Sequence, residues 1–417
     1  MNRKNSKAAK PAAPSLTRRR IWCHRLITLF GVPFIILLAL ELMLRLAGFG
    51  QSTAFLLPSE NHGQKTYVQN DQFGWRFFGA NMSRLPEPIS IARQKPPGAV
   101  RIFVFGESAA FGDPQPRYGL PRMLQAILEQ RHPGVTFEVI NAAMTAINSH
   151  TILPIARDCA KARGDVWVIY MGNNEVVGPF GAGTVFGPQA PTLPVIRASL
   201  ALKTTRTGQL MSSLLNALHP PPSSQSEWGG MEMFLNQRIR MDDPRMKNVY
   251  QNFQENLADV ISEGTKSGAG IVLSTVAVNL KDCAPFASLH QPGLSVGELA
   301  EWETNFNGGV SAQQAGQFAK ARTAFQLAAK TDNSYAELHF RMGECDLATS
   351  DVVNAQTEFA RARDLDALRF RCDSRLNELI CQAARTNEGK RVRLTDAEKD
   401  FAAASLDGLS GADLFYE

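Results

Sequence analysis

The chain has 417 residues, of which 44% are hydrophobic and 20% charged. This composition excludes an intrinsically disordered chain, and the length allows two or three folded domains. The net charge of +5 arises at the N-terminus, because residues 1–25 contain eight Lys and Arg and no acidic residue. Without those eight, the 44 basic residues fall to 36 against 39 acidic ones, so the charge distribution argues against nucleic-acid binding.

An apolar run follows the basic tail. Leu26–Leu46 counts 21 residues, about the length needed to span a bilayer as a helix, and its first fifteen residues carry no charge. Glu41 and Arg45 are four residues apart and can pair near the far interface. A cleaved signal peptide would begin similarly, but no small-x-small cleavage site follows the run cleanly. Because the positive charges precede the run, we predict a cytoplasmic tail (1–25) and an uncleaved transmembrane helix (26–46), with everything after residue 50 outside the cytoplasm.

Residues 51–98 form a mixed, proline-dotted stretch that contains the aromatic sequence Phe73-Gly74-Trp75-Arg76-Phe77-Phe78. We interpret this stretch as a connector whose aromatic side chains pack on the main domain. A role in contacting substrate is the alternative interpretation.

Between residues 99 and 300, short apolar runs alternate with amphipathic ones. Strands are predicted over Arg101–Phe105, Phe137–Ile140, Val166–Tyr170 and Gly270–Val278. Helices are predicted over Arg122–Gln130, Ile152–Ala162 and Val249–Ser262. This alternation is typical of a parallel sheet with helices on both faces. Residues 189–245 carry no such pattern and are interpreted as an irregular functional insertion or mobile cover.

Helices alone are predicted over residues 304–366. They span Ala312–Lys330, Tyr335–Thr349 and Val352–Asp364. The alternation of small and large residues resembles tetratricopeptide (TPR) helical hairpins, which recur about every 34 residues. With little more than one repeat, such a segment cannot bury its own apolar face and must pack on a neighbour. Residues 367–417 are expected to continue mainly as helix.

Polar blocks follow three of the predicted strands. They are Gly106-Glu107-Ser108, Asn141-Ala142-Ala143-Met144 and Gly172-Asn173-Asn174-Glu175. Because the carboxyl ends of parallel strands converge on one crevice, these blocks are expected to meet. Ester cleavage needs a nucleophilic hydroxyl, oxyanion donors and a base held by an acid. Ser108 can supply the hydroxyl, and the backbone N–H groups near Ser108 and Ala143 can supply donors, together with the Asn174 amide. The alternative for Ser108 is a strand-ending turn whose serine caps a helix.

The three blocks resemble those of the SGNH (GDSL-like) hydrolases, most closely of membrane-anchored bacterial members with TPR-like insertions. The first and third blocks have Glu where the family usually has Asp, and Ala143 stands where it typically has glycine. A positive φ at that alanine would be strained. The resemblance covers about residues 70–290 and the last few residues. It implies an α/β fold with a three-layer, flavodoxin-like parallel sheet over 99–300, held on the periplasmic side of a bacterial inner membrane.

The base is the part of this resemblance that is missing. The family takes it from a late Asp-x-x-His motif, whereas no histidine follows His339 here. In similar proteins a segment like Leu-Phe-Tyr-Glu runs into that motif, so Glu417 is expected to stand where the triad acid belongs, with the histidine beyond it. Asp413 is a weaker candidate acid. His150 is expected to cap or line the second-block loop. His290, in a loop after the fourth predicted strand, is a less favoured candidate for the base, because it would have to reach the crevice.

The residues and the resemblance together predict an extracytoplasmic, membrane-anchored serine esterase or O-acyltransferase. Its substrate would be an acyl or acetyl ester of an envelope glycan or lipid, and neither a cofactor nor a metal is expected. The alternative is a catalytically inactive envelope scaffold that binds a partner protein through the TPR-like helices. Six scattered cysteines lack the spacing of metal ligands and are expected to be buried free thiols. The alternative is that two of them form a single disulfide.

Overall fold

The computed structural model describes residues 18–218 and 228–415. The chain divides into two compact units, Met1–Gln51 with Leu200–Pro220, and Ser52–Ser199 with Pro221–Glu417. The strands are β1 (Leu56–Asn61), β2 (Gln64–Gln69), β3 (Ser90–Ala92), β4 (Val100–Gly106), β5 (Phe137–Asn141), β6 (Val166–Tyr170), β7 (Gly270–Ser274) and β8 (Val392–Thr395). The α-helices are α1 (Arg18–Leu26), α2 (Val32–Leu46), α3 (Trp75–Phe78), α4 (Ser108–Phe111), α5 (Leu120–Arg131), α6 (Ser149–Ala160), α7 (Leu193–Lys203), α8 (Arg206–Leu218), α9 (Arg245–Lys266), α10 (Val296–Gln314), α11 (Phe318–Thr331), α12 (Ala336–Ala348), α13 (Val352–Leu365), α14 (Ser374–Thr386) and α15 (Ala397–Ala404).

A five-stranded parallel sheet organises the larger unit. Its strand order is β5-β4-β6-β7-β8, which in order along the chain is the 2-1-3-4-5 arrangement of flavodoxin-like sheets. Helices α6, α9 and α14 pack on one another, α6 and α14 each against α9. With the right-handed crossovers usual for parallel strands, they cover one face of the sheet and α5 covers the other. Strand β4 is buried along nearly its whole length, as expected of a central parallel strand covered on both faces. Successive strands are added to one side of β4 at β5 and to its other side from β6 onwards, so the topological switch point lies between β4 and β6. Ligands of such sheets bind at the carboxyl ends of the strands at this point.

The first three predicted strands of this sheet are confirmed to within one residue at each end. The fourth ends at Ser274 rather than Val278. The reason is a side chain, because Asn377 accepts from the Val276 N–H (2.8 Å) and donates to the Val276 carbonyl (3.0 Å). This amide takes the place of a neighbouring strand beyond Ser274.

The expectation that residues 367–417 continue mainly as helix is wrong in part, because β8 lies between α14 and α15. Val392 is buried in β8 and the next three residues are exposed, so the strand has a single core contact and no detectable apolar alternation. The prediction that 189–245 is irregular is also wrong over its first half, which forms α7 and α8. Pro194 is the second residue of α7, a position where proline favours a helix start rather than a loop. Prolines 220–222 lie outside the described residues.

The connector contains more regular structure than its sequence indicated. Strands β1, β2 and β3 form an antiparallel sheet. Aromatic side chains of the connector form a row of ring contacts. The ring centroids are 5.2 Å apart for Phe55 and Phe73 and 5.7 Å apart for Phe73 and Phe77. Phe78 continues this row onto Phe186, in the loop after β6, at 4.8 Å. The aromatic residues therefore pack on the larger unit.

Four helices, α10 to α13, follow the loop after β7. They pack as successive pairs, α10 with α11 and α12 with α13. The segment begins at Val296, eight residues before its predicted start, and the single helix predicted over Ala312–Lys330 is wrong. Gly316 has φ +72°, and this left-handed residue separates α10 from α11.

The smaller unit contains an N-terminal helix that is long and apolar enough to cross a membrane. A π-helical turn at Ile27–Gly31 joins α1 to α2, and Ile27–Leu46 forms a 20-residue apolar stretch with none of its most apolar window buried. Length and composition carry this assignment. The predicted ion pair is confirmed, with Arg45 Nη2 2.7 Å from Glu41 Oε1.

Candidate active site

The carboxyl ends of β4 and β6 are adjacent, and Gly106 pairs with Tyr170 in their parallel register. A Cβ on Gly106 would lie 2.1 Å from the Tyr170 carbonyl oxygen and 2.5 Å from Ala110 Cβ. Glycine is therefore required here, because the chain must turn from strand into α4 against the neighbouring backbone. This turn presents Glu107 and Ser108 at the sheet edge.

The Glu107 side chain joins the first block to the third. Its Oε2 accepts the backbone N–H groups of Gly172 (3.2 Å), Asn173 (2.6 Å) and Asn174 (3.1 Å). Burial, and then the negative charge of Glu175, raise the pKa of Glu107 well above its usual range, while the three N–H groups act in the opposite direction. Sequence reasoning treated Glu107 only as a replacement for Asp and missed this bracing role, which depends on the pairing of β4 with β6.

Ser108 is the first residue of α4 and is partly exposed. Its carbonyl accepts from the N–H groups of Gly112 (2.9 Å) and Asp113 (3.0 Å), which closes the short helix. Within residues 18–218 and 228–415, no group hydrogen-bonds to its hydroxyl. The hydroxyl is therefore positioned at the edge without a competing protein partner in that part of the chain.

Ala143 lies fully buried after β5. Its N–H donates to Asn141 Oδ1 (3.2 Å), while Asn141 Nδ2 donates to the Phe111 carbonyl at the end of α4 (3.0 Å). The strain expected from a positive φ at this alanine is absent; a positive φ occurs instead at Ala146 (66°). To stabilise an oxyanion, the Ala143 N–H would have to leave or share its bond with Asn141.

Asn174 is almost fully buried on the loop after β6. Its backbone N–H bonds to Glu107, and its Nδ2 donates one N–H to the Ile147 carbonyl (3.1 Å). The side-chain amide has a second N–H to offer. Through Glu107, the backbone of Asn174 and the turn of Ser108 are held together, as the convergence of strand ends predicted.

Glu175, the last residue of the third block, belongs to a buried polar network. Its carboxylate accepts the Ser149 N–H (2.7 Å) and hydroxyl (2.8 Å), and Asn256 Nδ2 lies 3.0 Å from both Ser149 Oγ and His150 Nδ1. Burial raises the pKa of Glu175 to about 7. Burial, and then the charge of Arg197, lower the pKa of His150 to about 3, so its ring is neutral at ordinary pH. His150 packs within this network and against Phe180, as a residue lining the loop.

His290 lies among side chains of the helical segment rather than beside the three blocks. Its Nδ1 is 2.8 Å from Asp332 Oδ2, and its ring contacts Trp302 and Tyr335 with centroids 4.5 Å away in each case. His290 is therefore paired with an acid, Asp332, but it is not paired with Ser108. Among the described residues, neither His150 nor His290 forms a hydrogen bond with Ser108.

The C-terminal segment returns to the carboxyl edge of the sheet. Ser410 Oγ donates to the Val278 carbonyl beyond β7 (2.7 Å), and the Leu280 N–H donates to the Ser410 carbonyl (2.9 Å). Asp413 is exposed three residues later, and Glu417 lies outside the described residues. The described end of the chain is thus on the side of the sheet where a base would be needed.

Cys372 packs against the third block from the segment before α14. Its N–H donates to Asn173 Oδ1 (3.0 Å), and a Cβ on Gly172, which has φ +150°, would lie 2.8 Å from its sulfur. The segment is fixed by the buried pair of Arg369 with Asp373 (2.6 Å). Free thiols occur at Cys159, Cys283, Cys345, Cys372 and Cys381. In the described ranges no cluster of three His, Cys, Asp or Glu side chains could hold a metal ion.

The sequence matches no protein-family model and no curated protein. Among solved structures, it is similar to a structure of TesA, with 14% identity and a TM-score of 0.24 over 43% of this chain and 62% of TesA. It is also similar to Axe2, an acetylxylan esterase from Geobacillus stearothermophilus, with 13% identity and a TM-score of 0.23 over 70% of this chain and 96% of Axe2. The chain thus spans less than two thirds of TesA, and with both TM-scores far below 0.5 these similarities carry no functional assignment.

Proposed function

We propose that the protein is a membrane-anchored extracytoplasmic serine esterase or O-acyltransferase of the SGNH (GDSL-like) kind. Its substrate is an acyl or acetyl ester of an envelope glycan or lipid. The observation that carries this proposal is the Glu107 brace, because it holds the Ser108 turn against the Asn174 loop at the switch point of the sheet. A hydroxyl and a side-chain amide donor are thereby brought to one edge.

In this mechanism Ser108 Oγ forms a bond to the acyl carbon and the alcohol of the ester leaves with a proton. The oxyanion is stabilised by the free N–H of the Asn174 amide and by the Ser108 backbone N–H. Water then cleaves the acyl-serine in a hydrolase, or the hydroxyl of a second molecule takes the acyl group in a transferase. The proposed base takes the Ser108 proton as the serine attacks and passes it to the leaving alcohol, and Glu417 is the proposed acid that orients this base. The return of the C-terminal segment to the sheet edge at Ser410 supports this role for Glu417.

The test is Ser108→Ala in the full-length protein, assayed with p-nitrophenyl acetate. We expect the rate to fall by at least about three orders of magnitude, because the nucleophile is lost while binding and oxyanion donors remain. Ser295→Ala is the matched control, since Ser295 also stands at a helix start, where it makes a capping box with Glu298 remote from the edge. Equal activity of Ser108→Ala and Ser295→Ala would remove Ser108 from the mechanism.

A second candidate function is a catalytically inactive envelope scaffold that binds a partner protein through the TPR-like helices. The observation in its favour is that His150 and His290 are both engaged away from Ser108. Under this alternative the full-length protein is inactive on a panel of acyl esters. It instead loses a co-purifying partner when exposed side chains of residues 304–366 are replaced, whereas Ser108→Ala has no effect on either property.

The membrane placement is tested separately with a reporter fused after residue 50. Basic residues before the apolar run predict that the reporter works only on the extracytoplasmic side. A reporter active only in the cytoplasm at that position would reverse the topology and remove the envelope setting, whatever the result for Ser108.

A further inference from the structure

Helix α8 has an apolar face that the described residues of the chain leave uncovered. Met211, Leu214, Leu215 and Leu218 are 45%, 56%, 53% and 73% exposed. Their spacing of three, four and seven residues places them on one side of the helix. The opposite side carries the uncharged polar side chains of Gln209, Ser212 and Asn216.

The start of α8 is capped by a carboxylate from the apolar helix α2. Glu41 Oε1 accepts the Arg206 N–H (3.0 Å), and Glu41 Oε2 accepts the Thr207 N–H (2.8 Å) and hydroxyl (2.9 Å). A carboxylate at this position satisfies free backbone N–H groups and complements the positive end of the helix dipole. The cap fixes where α8 begins relative to α2.

The depth of that contact is set by sequence position. Glu41 is five residues before Leu46, the last residue of the apolar stretch, which is about 8 Å along a helix axis. A point this close to the end of a membrane span lies near the boundary between acyl chains and headgroups. Helix α8 therefore starts at interfacial depth if α2 spans the bilayer.

The bare face of α8 points to the same side as its contact with α2. Thr207, which bonds to Glu41, lies on the helical line that continues through Met211, Leu214 and Leu218. On the polar side, Gln209 donates to the carbonyls of Gln51 (3.1 Å) and Lys203 (3.2 Å). The polar side is thus held to protein at Gln209, whereas the apolar side is left uncovered by the described residues.

We propose that α8 is an interfacial helix that lies in the headgroup region of the bilayer spanned by α2, with Met211, Leu214, Leu215 and Leu218 inserted among the acyl chains. The occupant of this face is the lipid bilayer. Continuity with α2 favours it, as do an apolar face beside an uncharged polar one and Arg206, whose cation suits anionic headgroups. This inference rests on the membrane anchor of the proposed function and is independent of Ser108 chemistry.

The test places a nitroxide on each side of α8 in the full chain, reconstituted in nanodiscs of phosphatidylethanolamine and phosphatidylglycerol. Leu214→Cys and Leu218→Cys report the apolar face, and Asn216→Cys is the matched control on the polar face. The unsubstituted chain, labelled in parallel, gives the background from native cysteines. Collision rates are measured with oxygen, which partitions into lipid, and with a water-soluble nickel chelate. We expect the oxygen-to-nickel ratio at 214 and 218 to exceed that at 216 at least threefold.

The outcomes separate this inference from the anchor itself. If carbonate extracts the chain from membranes, the anchor fails, and with it the basis for α8. If the chain resists carbonate but the ratios at 214 and 218 equal that at 216, the anchor stands and α8 is not in lipid. Labels at 214 and 218 that are immobile and shielded from both reagents would show that protein covers the face, which also overturns the proposal.

Discussion

Glu107 and Glu175 are both buried at the carboxyl edge of the sheet, yet their carboxylates are used differently. Glu107 gathers three consecutive N–H groups on one oxygen, and its other oxygen has no hydrogen-bond partner among the described residues. Glu175 has both oxygens occupied by Ser149, the first residue of α6. The Glu107 carboxylate holds the turn at Ser108 against the 172–174 loop, whereas the Glu175 carboxylate holds the start of α6. The difference indicates that Glu107 sets the geometry of the candidate site, whereas Glu175 stabilises the packing of α6 on the sheet.

The largest effect is expected from Glu107→Ala. Three buried N–H groups on the 172–174 loop would lose their acceptor, so we expect the free energy of unfolding to fall by about 3–5 kcal/mol and ester hydrolysis to fall by at least about 100-fold. Glu107→Gln is the matched variant, because its amide oxygen can accept the same three bonds. It should cost less than about 1 kcal/mol. Denaturant unfolding and p-nitrophenyl acetate turnover measure both; equal losses for Ala and Gln would mean that the ionised carboxylate, rather than its acceptor geometry, is needed.

The next effect concerns pH and separates Glu175 from its neighbour His150. The raised pKa of Glu175 stabilises the fold at low pH, and this contribution is lost as the pH rises from about 4.5 to about 7. The lowered pKa of His150 acts oppositely, because its contribution is present above pH 6.5 and is lost as the pH falls towards about 3. The two slopes oppose each other between about pH 4.5 and 6.5.

Single substitutions should expose each slope. In Glu175→Gln the His150 contribution remains, so the free energy of unfolding of this variant should decrease as the pH falls from 6.5 towards about 3. In His150→Gln the Glu175 contribution remains, so the free energy of unfolding should decrease as the pH rises from about 4.5 to about 7. The two variants should therefore show pH dependences of opposite sign between about pH 4.5 and 6.5. Unfolding titrations at half-unit pH steps measure this. Slopes identical to that of the wild type in both variants would contradict the assigned protonation states.

The smallest effect is expected at the loop that neither carboxylate holds. Because Ala143 has no positive φ, Ala143→Gly relieves no strain and only adds chain entropy to the unfolded state. We expect it to lower stability by up to about 1 kcal/mol and to leave ester hydrolysis within about twofold. A stabilised Ala143→Gly variant would show that the backbone at this alanine is strained after all.

Four strands of the sheet could be predicted from the sequence because β4, β5, β6 and β7 are short runs of apolar residues, a pattern typical of buried strands. Strand β8 could not be predicted in this way, because Val392 is its single buried residue. At the site, the alternation of strands and helices predicted that the first and third blocks meet, and Glu107 joins the two blocks in the structure. Glu107 and Asn141 hold the carboxyl edge of the sheet through hydrogen bonds to residues that follow neighbouring strands. These partners are far away in the sequence, so no local sequence pattern predicts the bonds. The partners of His290 were equally inaccessible, since Asp332 is 42 residues away in the chain.

The buried free thiols have a consequence for the redox chemistry of the folded protein. Cys159 and Cys372 are completely buried, and burial raises the pKa of both thiols, as it does for Cys345. Disulfide exchange and oxidation proceed through the thiolate and require access, so thiols that neither ionise nor meet solvent react slowly. In the folded protein these three thiols are therefore slow to oxidise, which would suit the extracytoplasmic location proposed above.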